Sequence, residues 1–315
     1  MYIRGGDPVS SPLLFLRICC FEKPAIRSDL RRHCTIGKMK GVVVKTGLLT
    51  FALFFTFLSK GYPIGDQTQV GAREVSLGSA SVALITPFSV YHNQAALARI
   101  KSLSVAIDYR QPFLIEGFAE KALALVIPTS VSNFAISVQQ KGILGYNESR
   151  FGFAMAKALG KRISAGLQFN YFMIDFPEQG SSLGAFLIEF GVLYQTTNNV
   201  TIGLHVFNPA RASIESLNLK SNLPVSATIG IALKPSDNLL FVSAIAYCIG
   251  NPLNIRMGIE YQFSDCFFLR GGLSGKPIRH SVGLGYKWRY FQTDFALVHH
   301  ETLGYTPSIS LILNL

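Results

Sequence analysis

Few residues of this chain are of the kinds that bind metals or catalyse reactions. The 315 residues include six histidines and five cysteines. His299 and His300 are adjacent, but neighbouring residues of a β-strand point to opposite faces, so the two imidazoles could not bind one ion together. His92, His205 and His280 stand apart in the sequence, and we interpret each as an ordinary polar contact. With no cluster of cysteines or carboxylates at metal-ligand spacing, the sequence predicts no metal site and no cofactor.

The catalytic arrangement that the sequence leaves open is a serine–histidine dyad on a sheet. His299 would face outward near the end of a strand, and Ser308 and Ser310 lie on the next one. Such a dyad needs the serine hydroxyl within hydrogen-bonding reach of the imidazole. The spacing gives no reason to expect that contact, and we therefore predict that the chain is not an enzyme.

Residues 75–98, VSLGSASVALITPFSVYHNQAALA, combine small residues with a polar cluster at 91–94. Asn93 is suited to cap a short helix through Arg99, because its side chain can accept a hydrogen bond from an unpaired amide. The cluster is either a ligand-binding site or part of a segment that fills a space inside a larger structure. Which of the two holds depends on the elements around it.

The first 61 residues are expected to be separate from the folded part of the chain. The apolar run 46–58 follows a basic start at Met39 and is too short to span a bilayer. Small residues at 59 and 61 follow it, and cleavage is expected after Gly61. This pattern predicts a secretory signal peptide at 39–61. Residues 1–38 are interpreted as a leader or an over-extended start without structure of its own.

The composition of the remaining chain narrows the function classes. At 62–315 there are 19 Lys and Arg residues and 15 Asp and Glu residues, so the net charge falls from +11 to +4. No basic cluster remains that would suggest a nucleic-acid groove. Only 15% of the whole chain is charged and 49% is hydrophobic, whereas soluble domains are about 25% charged. The composition argues against nucleic acid as a partner and favours an apolar environment.

From residue 101 onward, apolar and polar residues alternate with a period of two. In 163–173, ISAGLQFNYFM, the apolar residues fall on one face and the polar or small ones on the other. The same pattern recurs at 200–206, 225–234, 255–263 and 281–288. Alternation of this length predicts β-strands with one apolar and one polar face.

Dividing this region at turn-like residues predicts about fourteen strands. Their connections alternate between short and longer ones, and the longest comprises residues 207–224. This is typical of an outer-membrane β-barrel, which has tight periplasmic turns and longer outer loops. The predicted spans are 102–111, 119–128, 133–142, 149–159, 162–174, 182–195, 199–208, 223–234, 238–249, 253–264, 266–274, 280–289, 291–300 and 305–315.

The two faces of the predicted strands indicate what surrounds the barrel. The apolar faces of the five clearest strands carry no charged residue, and the polar faces carry mainly small and uncharged side chains. Lys121 and Lys157 fall on apolar faces, but both lie near strand ends, where a lysine can reach the lipid headgroups. We therefore predict an all-β, transmembrane antiparallel barrel rather than a soluble sandwich.

Eight charged residues are expected to face the lumen. We expect most of them to pair with one another or with residues inside the barrel. Four are cationic and four anionic, which gives no reason to predict ion selectivity. These residues are Asp108, Arg110, Glu189, Arg256, Glu260, Arg270, Lys287 and Asp294.

Two cysteines remain in the predicted mature chain. Cys248 lies near the predicted outer turn at 250–252, and Cys266 follows a turn at 264–265 at the opposite end of the barrel. A strand of about ten residues, at roughly 3.3 Å per residue, separates their levels and is far longer than a disulfide can bridge. The sequence predicts two thiols that are not joined to each other.

Residues 71–98 carry a motif of the form G-A-R, then G-x-A, then N-P-A-G-L-A. Gln94 stands in the place of the proline and Ala96 in the place of the second glycine. In this motif the chain resembles Bacteroidota outer-membrane barrels of the PorV/PorQ type, relatives of the FadL-like transporters. The resemblance implies fourteen antiparallel strands at 101–315 and a luminal plug at 62–100. The motif positions are Gly71, Ala72, Arg73, Gly78, Ala80, Asn93 and Leu97.

The resemblance implies two alternative functions. The leading one is FadL-like binding or transport of small hydrophobic molecules across a bacterial outer membrane. The molecule would enter among the outer loops, near 207–224, and leave after a shift of the plug or through an opening in the wall. The alternative is an accessory barrel of type IX secretion that docks secreted proteins. The expected partners are membrane lipid and either a hydrophobic ligand or secretion-system proteins.

Overall fold

The computed structural model describes residues 69–143, 145–177, 180–216, 219–275 and 277–315. The predicted leader at 1–38, the signal peptide at 39–61 and the first residues of the predicted plug, 62–68, lie outside the described residues. None of the helices in the described part of the chain is long and apolar enough to cross a bilayer. These helices are α1 (Ala72–Ser76) and the 3₁₀ helices Pro87–Tyr91, Gln94–Arg99 and Pro112–Leu114.

The rest of the described chain is organised by β-strands, whose side chains alternate between a buried and an exposed face. Each strand predicted from the alternation is present within a few residues of its expected bounds. In chain order the strands are β1 Ser104–Arg110, β2 Ala119–Ile127, β3 Asn133–Ile143, β4 Tyr146–Ala158, β5 Ile163–Phe176, β6 Ser181–Thr197, β7 Val200–Phe207, β8 Ser213–Ser216, β9 Leu219–Asn222, β10 Ser226–Ser236, β11 Leu239–Cys248, β12 Asn254–Gln262, β13 Phe267–Ser274, β14 Arg279–Trp288, β15 Phe291–His300 and β16 Gly304–Asn314.

Fourteen of these strands close into an antiparallel barrel, so the predicted fold class and strand number are confirmed. The barrel closes where β1 pairs with β16. Sequence neighbours pair everywhere else, except that β7 pairs with β10 because β8 and β9 form a separate hairpin between them. The sequence analysis did not predict this hairpin. Closure leaves no strand edge of the wall unpaired, which a bilayer requires of a β-structure.

The two ends of the barrel differ in their connections. At the turn end, β1 begins and β16 ends, and the connections are short. At the opposite, loop end, the connection 208–225 carries the β8–β9 hairpin. The connections expected to be long at 142–149 and 175–184 are instead mostly strand. There β3 pairs with β4, and β5 with β6, almost to the tip of each hairpin, which satisfies backbone groups that an irregular loop would leave to water.

The outer face of the wall is covered by exposed apolar side chains. Lys121 and Lys157 are exposed on this face near strand ends, as expected. A monomeric soluble protein rarely exposes so large a continuous apolar surface, whereas hydrocarbon around a barrel requires one. Among these residues are Phe153, Phe169, Phe186, Ile229, Ile255, Met257, Leu269, Val282, Leu284, Phe295 and Ile309.

The strands place the residues of the conjectured dyad and the two cysteines far apart. Ser308 and Ser310 are buried on the inner face, whereas His299 faces outward, so these side chains lie on opposite faces of the wall. Cys248 ends β11 at the loop end, and Cys266 lies in the turn before β13. The two thiols are therefore at opposite ends of the barrel, and neither is in a disulfide.

Candidate functional site

Residues 69–100, here called the luminal segment, run along the inner face of the barrel. Their side chains are mostly buried, including Leu77, Phe88 and Leu97, which are 0% exposed. Asn93 caps the 3₁₀ helix Gln94–Arg99 by accepting a hydrogen bond from the amide of Ala95. The expected short helix thus forms, with 3₁₀ geometry.

Seven inward-facing glycines on seven strands form the surface on which the luminal segment rests. A methyl group at Gly203 would lie 2.1 Å from the carbonyl oxygen of Val82, and one at Gly258 would lie 2.4 Å from that of Leu77. Three pairs of these glycines stand directly opposite each other on neighbouring strands. Glycine within a strand commonly marks the close approach of another backbone. The seven, called the glycine seats, are Gly166, Gly191, Gly203, Gly230, Gly258, Gly272 and Gly283.

The motif glycine Gly78 fits this surface from the other side. Its φ of +65° is a conformation that side-chain-bearing residues rarely adopt. A methyl group there would lie 2.4 Å from the carbonyl oxygen of Met257 and 2.5 Å from that of Leu273. The backbone of the luminal segment therefore contacts the backbone of the wall at this point. Gly78 is required both because of its positive φ and because a side chain would not fit.

One charged network joins the luminal segment to the turn-end half of the wall. Arg73 donates two hydrogen bonds of 2.7 Å to the carboxylate of Glu260. Arg270 donates to Glu260 at 2.6 Å and to Asp294 at 2.6 Å. Bidentate arginine–carboxylate pairs of this kind fix orientation as well as charge, so this network sets the position of helix α1.

A second polar network, centred on Glu189, holds the other end of the luminal segment. Gln94 donates to Glu189 at 2.9 Å, and the His205 Nε2 lies 3.0 Å from the same oxygen. The other carboxylate oxygen accepts a hydrogen bond from Asn170 at 2.9 Å and has Arg150 at 3.6 Å. Glu189 is 1% exposed, so its charge is stabilised by these partners instead of by water.

The remaining polar residues of the opening cluster also contact backbone groups instead of a cavity. The side-chain nitrogen of Asn93 donates hydrogen bonds to the carbonyl oxygens of Val82 and Val192. The Tyr91 hydroxyl lies 2.6 Å from a carbonyl oxygen of β2, and His92 Nε2 lies 2.7 Å from the carbonyl oxygen of Val70. Residues 91–94 therefore hold the luminal segment in place through these hydrogen bonds, while His92 Nδ1 and Gln94 Oε1 are buried without a hydrogen-bond partner among the described residues.

Glu74 is the one acidic side chain of the luminal segment. It is 0% exposed, and one oxygen accepts a hydrogen bond of 2.6 Å from the Thr86 hydroxyl. Its other oxygen has no hydrogen-bond partner among the described residues. Burial raises the pKa of Glu74 to about 7, because the charged carboxylate loses its hydration there.

The other four charged residues expected in the lumen lie in four different surroundings. Asp108 faces the amides of Gly71 and Ala72. The motif residue Ala80 is buried in an apolar cluster with Leu77 and Val82. Arg110 pairs with Glu120 at 3.2 Å and contacts the carbonyl oxygen of Gln69. Arg256 donates a hydrogen bond of 3.2 Å to the carbonyl oxygen of Ser79. Lys287 lines a cavity at the turn end of the barrel.

Sequence reasoning missed several residues of these networks. Glu120, Arg150 and His205 each face inward and pair with a residue that was expected in the lumen. The alternation within β2, β4 and β7 places all three on the polar face, so the period of two was a usable signal. The glycine seats carried the same signal, since each falls on the inward face of its strand.

An apolar cluster occupies the loop end of the lumen, separate from the apolar clusters that the luminal segment forms with the wall. Phe172, Leu187 and Phe207 project from the inner faces of β5, β6 and β7, and Ile214 and Leu223 cover them from the connection 208–225. This group is called the loop-end cluster, and it also includes Ile174 and Ala185.

Asn208 fastens the connection that covers the loop-end cluster. Its side-chain oxygen accepts a hydrogen bond of 2.8 Å from the amide of Ala212. Its side-chain nitrogen donates to the carbonyl oxygens of Leu223 and Pro224, each at 3.2 Å. A single side chain thus joins the two ends of the hairpin connection next to the wall.

A cavity of about 690 Å³ lies at the turn end, on the other side of the luminal segment. The luminal segment contributes Arg73, Ala83, Leu84 and Ile85 to its lining, and Ile85 is 37% exposed. The remaining lining is largely polar and comes from the turn-end halves of β6, β7 and β10–β15. Residues 83–85, here called the partition, therefore form part of the wall of this cavity.

The histidines of the outer face differ from the expectation in one respect. His280 is not isolated, because it lies directly opposite His299 on the neighbouring strand. The sequence could not show this, since cross-strand partners depend on register. Among the described residues, no group of three or more His, Cys, Asp or Glu side chains is arranged to hold a metal ion.

The barrel resembles solved structures of channels, although no protein-family profile matches the chain and no curated protein sequence matches it. The monoaromatic hydrocarbon channel CymD is 13% identical, with a TM-score of 0.63 over 79% of this chain and 98% of that one. The toluene transporter TodX of Pseudomonas putida is 10% identical, with a TM-score of 0.60 over 80% and 99%. A FadL homologue of Pseudomonas aeruginosa is 11% identical, with a TM-score of 0.58 over 81% and 100%. At these identities the likeness shows a shared barrel fold.

Proposed function

We propose that this chain is an outer-membrane barrel of a bacterium that binds small hydrophobic molecules and lets them pass. The observation that carries the proposal is the loop-end cluster, an apolar surface inside the barrel that is covered by the connection 208–225 and not by the luminal segment. The structurally similar proteins CymD, a monoaromatic hydrocarbon channel, and TodX, a toluene transporter, support the same class of molecule.

The hydrophobic molecule would be taken up where the β8–β9 hairpin covers the cluster. Ile214 and Leu223 fill this surface, and a ligand that displaces them gains apolar contacts of the same kind. Because only the connection 208–225 moves, the strands of the wall keep their pairing. Asn208, which fastens both ends of this connection, is the natural pivot.

Passage further down requires a change in the luminal segment. The described strands pair continuously around the wall, and their two register irregularities, at 195–197 and 233–236, both lie at the turn end. We therefore favour a shift of the partition 83–85 over an opening of the wall. Such a shift would join the lumen to the turn-end cavity while the networks around Glu189 and Glu260 keep the rest of the segment in place.

The location of the barrel follows from the same proposal. The exposed apolar outer face supports insertion into lipid, and the predicted signal peptide at 39–61 would direct export to the outer membrane. Cleavage after Gly61 would leave residues 62–100 to form the plug, of which 69–100 make the contacts described above. The partners are then membrane lipid and a hydrophobic ligand.

Uptake by intact cells tests the proposal. In a bacterial host without a FadL-like channel of its own, this barrel should speed the entry of the fluorescent apolar probe 1-N-phenylnaphthylamine. Phe172→Gln with Leu187→Gln should reduce that gain several-fold, because both amides would replace apolar surface of the loop-end cluster. Leu253→Gln is the matched control, since it removes an exposed apolar residue from another loop-end connection.

Two results would overturn the proposal. The first is an unchanged uptake rate in the double variant, with folded barrel in the membrane at the normal level. The second is a deletion strain with normal uptake that loses proteins from the cell surface, which would instead favour the secretion role predicted from the PorV/PorQ resemblance.

A further inference from the structure

Two histidines face each other on the outside of the barrel, outside the site described above. His280 on β14 and His299 on β15 are direct cross-strand partners. Their ring centroids are 6.5 Å apart and the ring planes differ by 31°. Side chains of directly opposed residues project from the same face of a sheet, so the two imidazoles share one surface.

The surroundings of this pair differ from the rest of the outer face. Below it, towards the turn end, the outward residues of both strands are apolar apart from Thr293, beginning with Val282 and Leu297. Above it, each strand has one more residue before it ends, Arg279 and His300, and both of these face the lumen. The histidines therefore lie at the loop-end rim of the apolar surface, where lipid headgroups and water replace hydrocarbon.

Tyr305 limits the freedom of one of the two rings. It is the cross-strand partner of His299 on the other side, and its ring centroid lies 4.8 Å from that of His299. An imidazole packed against an aromatic ring has fewer conformations to lose when it binds a ligand. One ring of the pair is thus held in place and the other, His280, is exposed.

We propose that His280 and His299 form a binding site for a divalent transition-metal cation such as Zn²⁺, Ni²⁺ or Cu²⁺. Imidazole nitrogens are the protein ligands that these ions share. An ion about 2.0–2.1 Å from each nitrogen, in tetrahedral geometry, places the ring centroids roughly 5 Å apart. Rotation of the exposed His280 side chain closes that difference without any change of the backbone.

The coordination sphere of the proposed site is completed from outside the protein. The described residues supply two nitrogen ligands and no third His, Cys, Asp or Glu side chain in a common group. Water or a phosphate oxygen of a lipid headgroup would take the remaining positions. The site would therefore bind metal reversibly and at the membrane surface, in contrast to buried structural zinc sites, whose ligands all come from the protein.

The pair also has a simpler interpretation as two polar residues at a membrane rim, and metal binding distinguishes the two. The full chain, without a histidine tag, is purified in detergent and titrated with Ni²⁺ at pH 7.5 by calorimetry. His280→Ala and His299→Ala should each weaken binding by about tenfold or more, because each removes the chelate effect of the pair. His300→Ala is the matched control, since His300 is adjacent in sequence but buried on the inner face.

A spectroscopic measurement gives a second test, which counts the nitrogen ligands of the bound ion and does not depend on the affinity. Bound Cu²⁺ should show coupling to two nitrogens in the unaltered protein and in His300→Ala, and to one in His280→Ala. Equal Ni²⁺ affinity in all four proteins, or a one-nitrogen spectrum in the unaltered protein, would overturn the metal site and leave only a polar rim. Both outcomes can be read whether or not the barrel transports hydrophobic molecules.

Discussion

At the scale of single residues, two carboxylates connect the luminal segment to the wall. Glu260 accepts hydrogen bonds from Arg73 of helix α1, and Glu189 accepts one from Gln94 at the start of the second 3₁₀ helix. Both carboxylates are almost fully buried, so removing either partner would take one hydrogen-bond donor from a buried charge, and hydrogen bonds to charged groups contribute about 1.5–3 kcal/mol each. The networks therefore make the luminal segment part of the folded barrel and not a loosely held insertion.

Glu74 gives the luminal segment a dependence on pH. Because its pKa is about 7 in the folded protein, above the usual value of 4.5, the folded state holds a proton that the unfolded state releases. This contribution is complete below about pH 4.5 and is lost as the pH rises through about 7. We expect the unaltered barrel to melt at a lower temperature at pH 8.5 than at pH 6.

The effect of Glu74 is isolated by comparison with Glu74→Gln, whose side chain is neutral at all pH values. Melting is measured at both pH values as the temperature at which the folded band is lost from unheated gels. The fall between pH 6 and pH 8.5 should be smaller in the variant. An equal fall in both proteins would assign the dependence to other groups.

At the scale of elements, the glycine seats determine how closely the luminal segment approaches the wall. Gly203→Ala should lower the free energy of unfolding by about 1–3 kcal/mol, because its methyl group would overlap the carbonyl oxygen of Val82. Gly271→Ala is the matched control. Gly271 also lies within a strand, but faces outward, where a methyl group would have no neighbour closer than 3.9 Å.

The comparison has a second readout in planar bilayers. If the luminal segment closes the barrel, Gly203→Ala should raise the leak conductance and Gly271→Ala should not. Equal stability and equal conductance in the two variants would contradict the role of the seats.

The elements also show how far a single sequence specifies this structure. Strands such as β5 and β7 could be predicted because alternation continues through their whole length. The β8–β9 hairpin could not, since each of its strands has four residues and SIES and LKSN do not alternate. The glycine seats and the pair of His280 and His299 depend on register, which in a hairpin follows from the exact length of the turn. The predicted spans differ from the strands by one or more residues at most turns, so they did not give the cross-strand partners.

At the scale of the whole molecule, the apolar outer face determines where the protein can exist. We expect the exported protein to remain with the membrane fraction after washing with high salt or carbonate and to need detergent for extraction. The amino-terminal residue of the extracted protein should be Tyr62, if the signal peptide ends at Gly61. Monodisperse protein in buffer without detergent would contradict membrane insertion, and a start at another residue would correct the cleavage site.

The strands of the wall are unequal in length, and this has a consequence for the shape of its rim. β1 has 7 residues, whereas β5 has 14 and β6 has 17. A strand of about 9–11 residues suffices to cross a bilayer, and the turn-end connections of β5 and β6 are as short as the others. The barrel wall therefore extends further beyond the lipid at β5 and β6 than at β1. Hydrophobic molecules would then be collected from the surrounding water on that side, before they reach the level of the membrane.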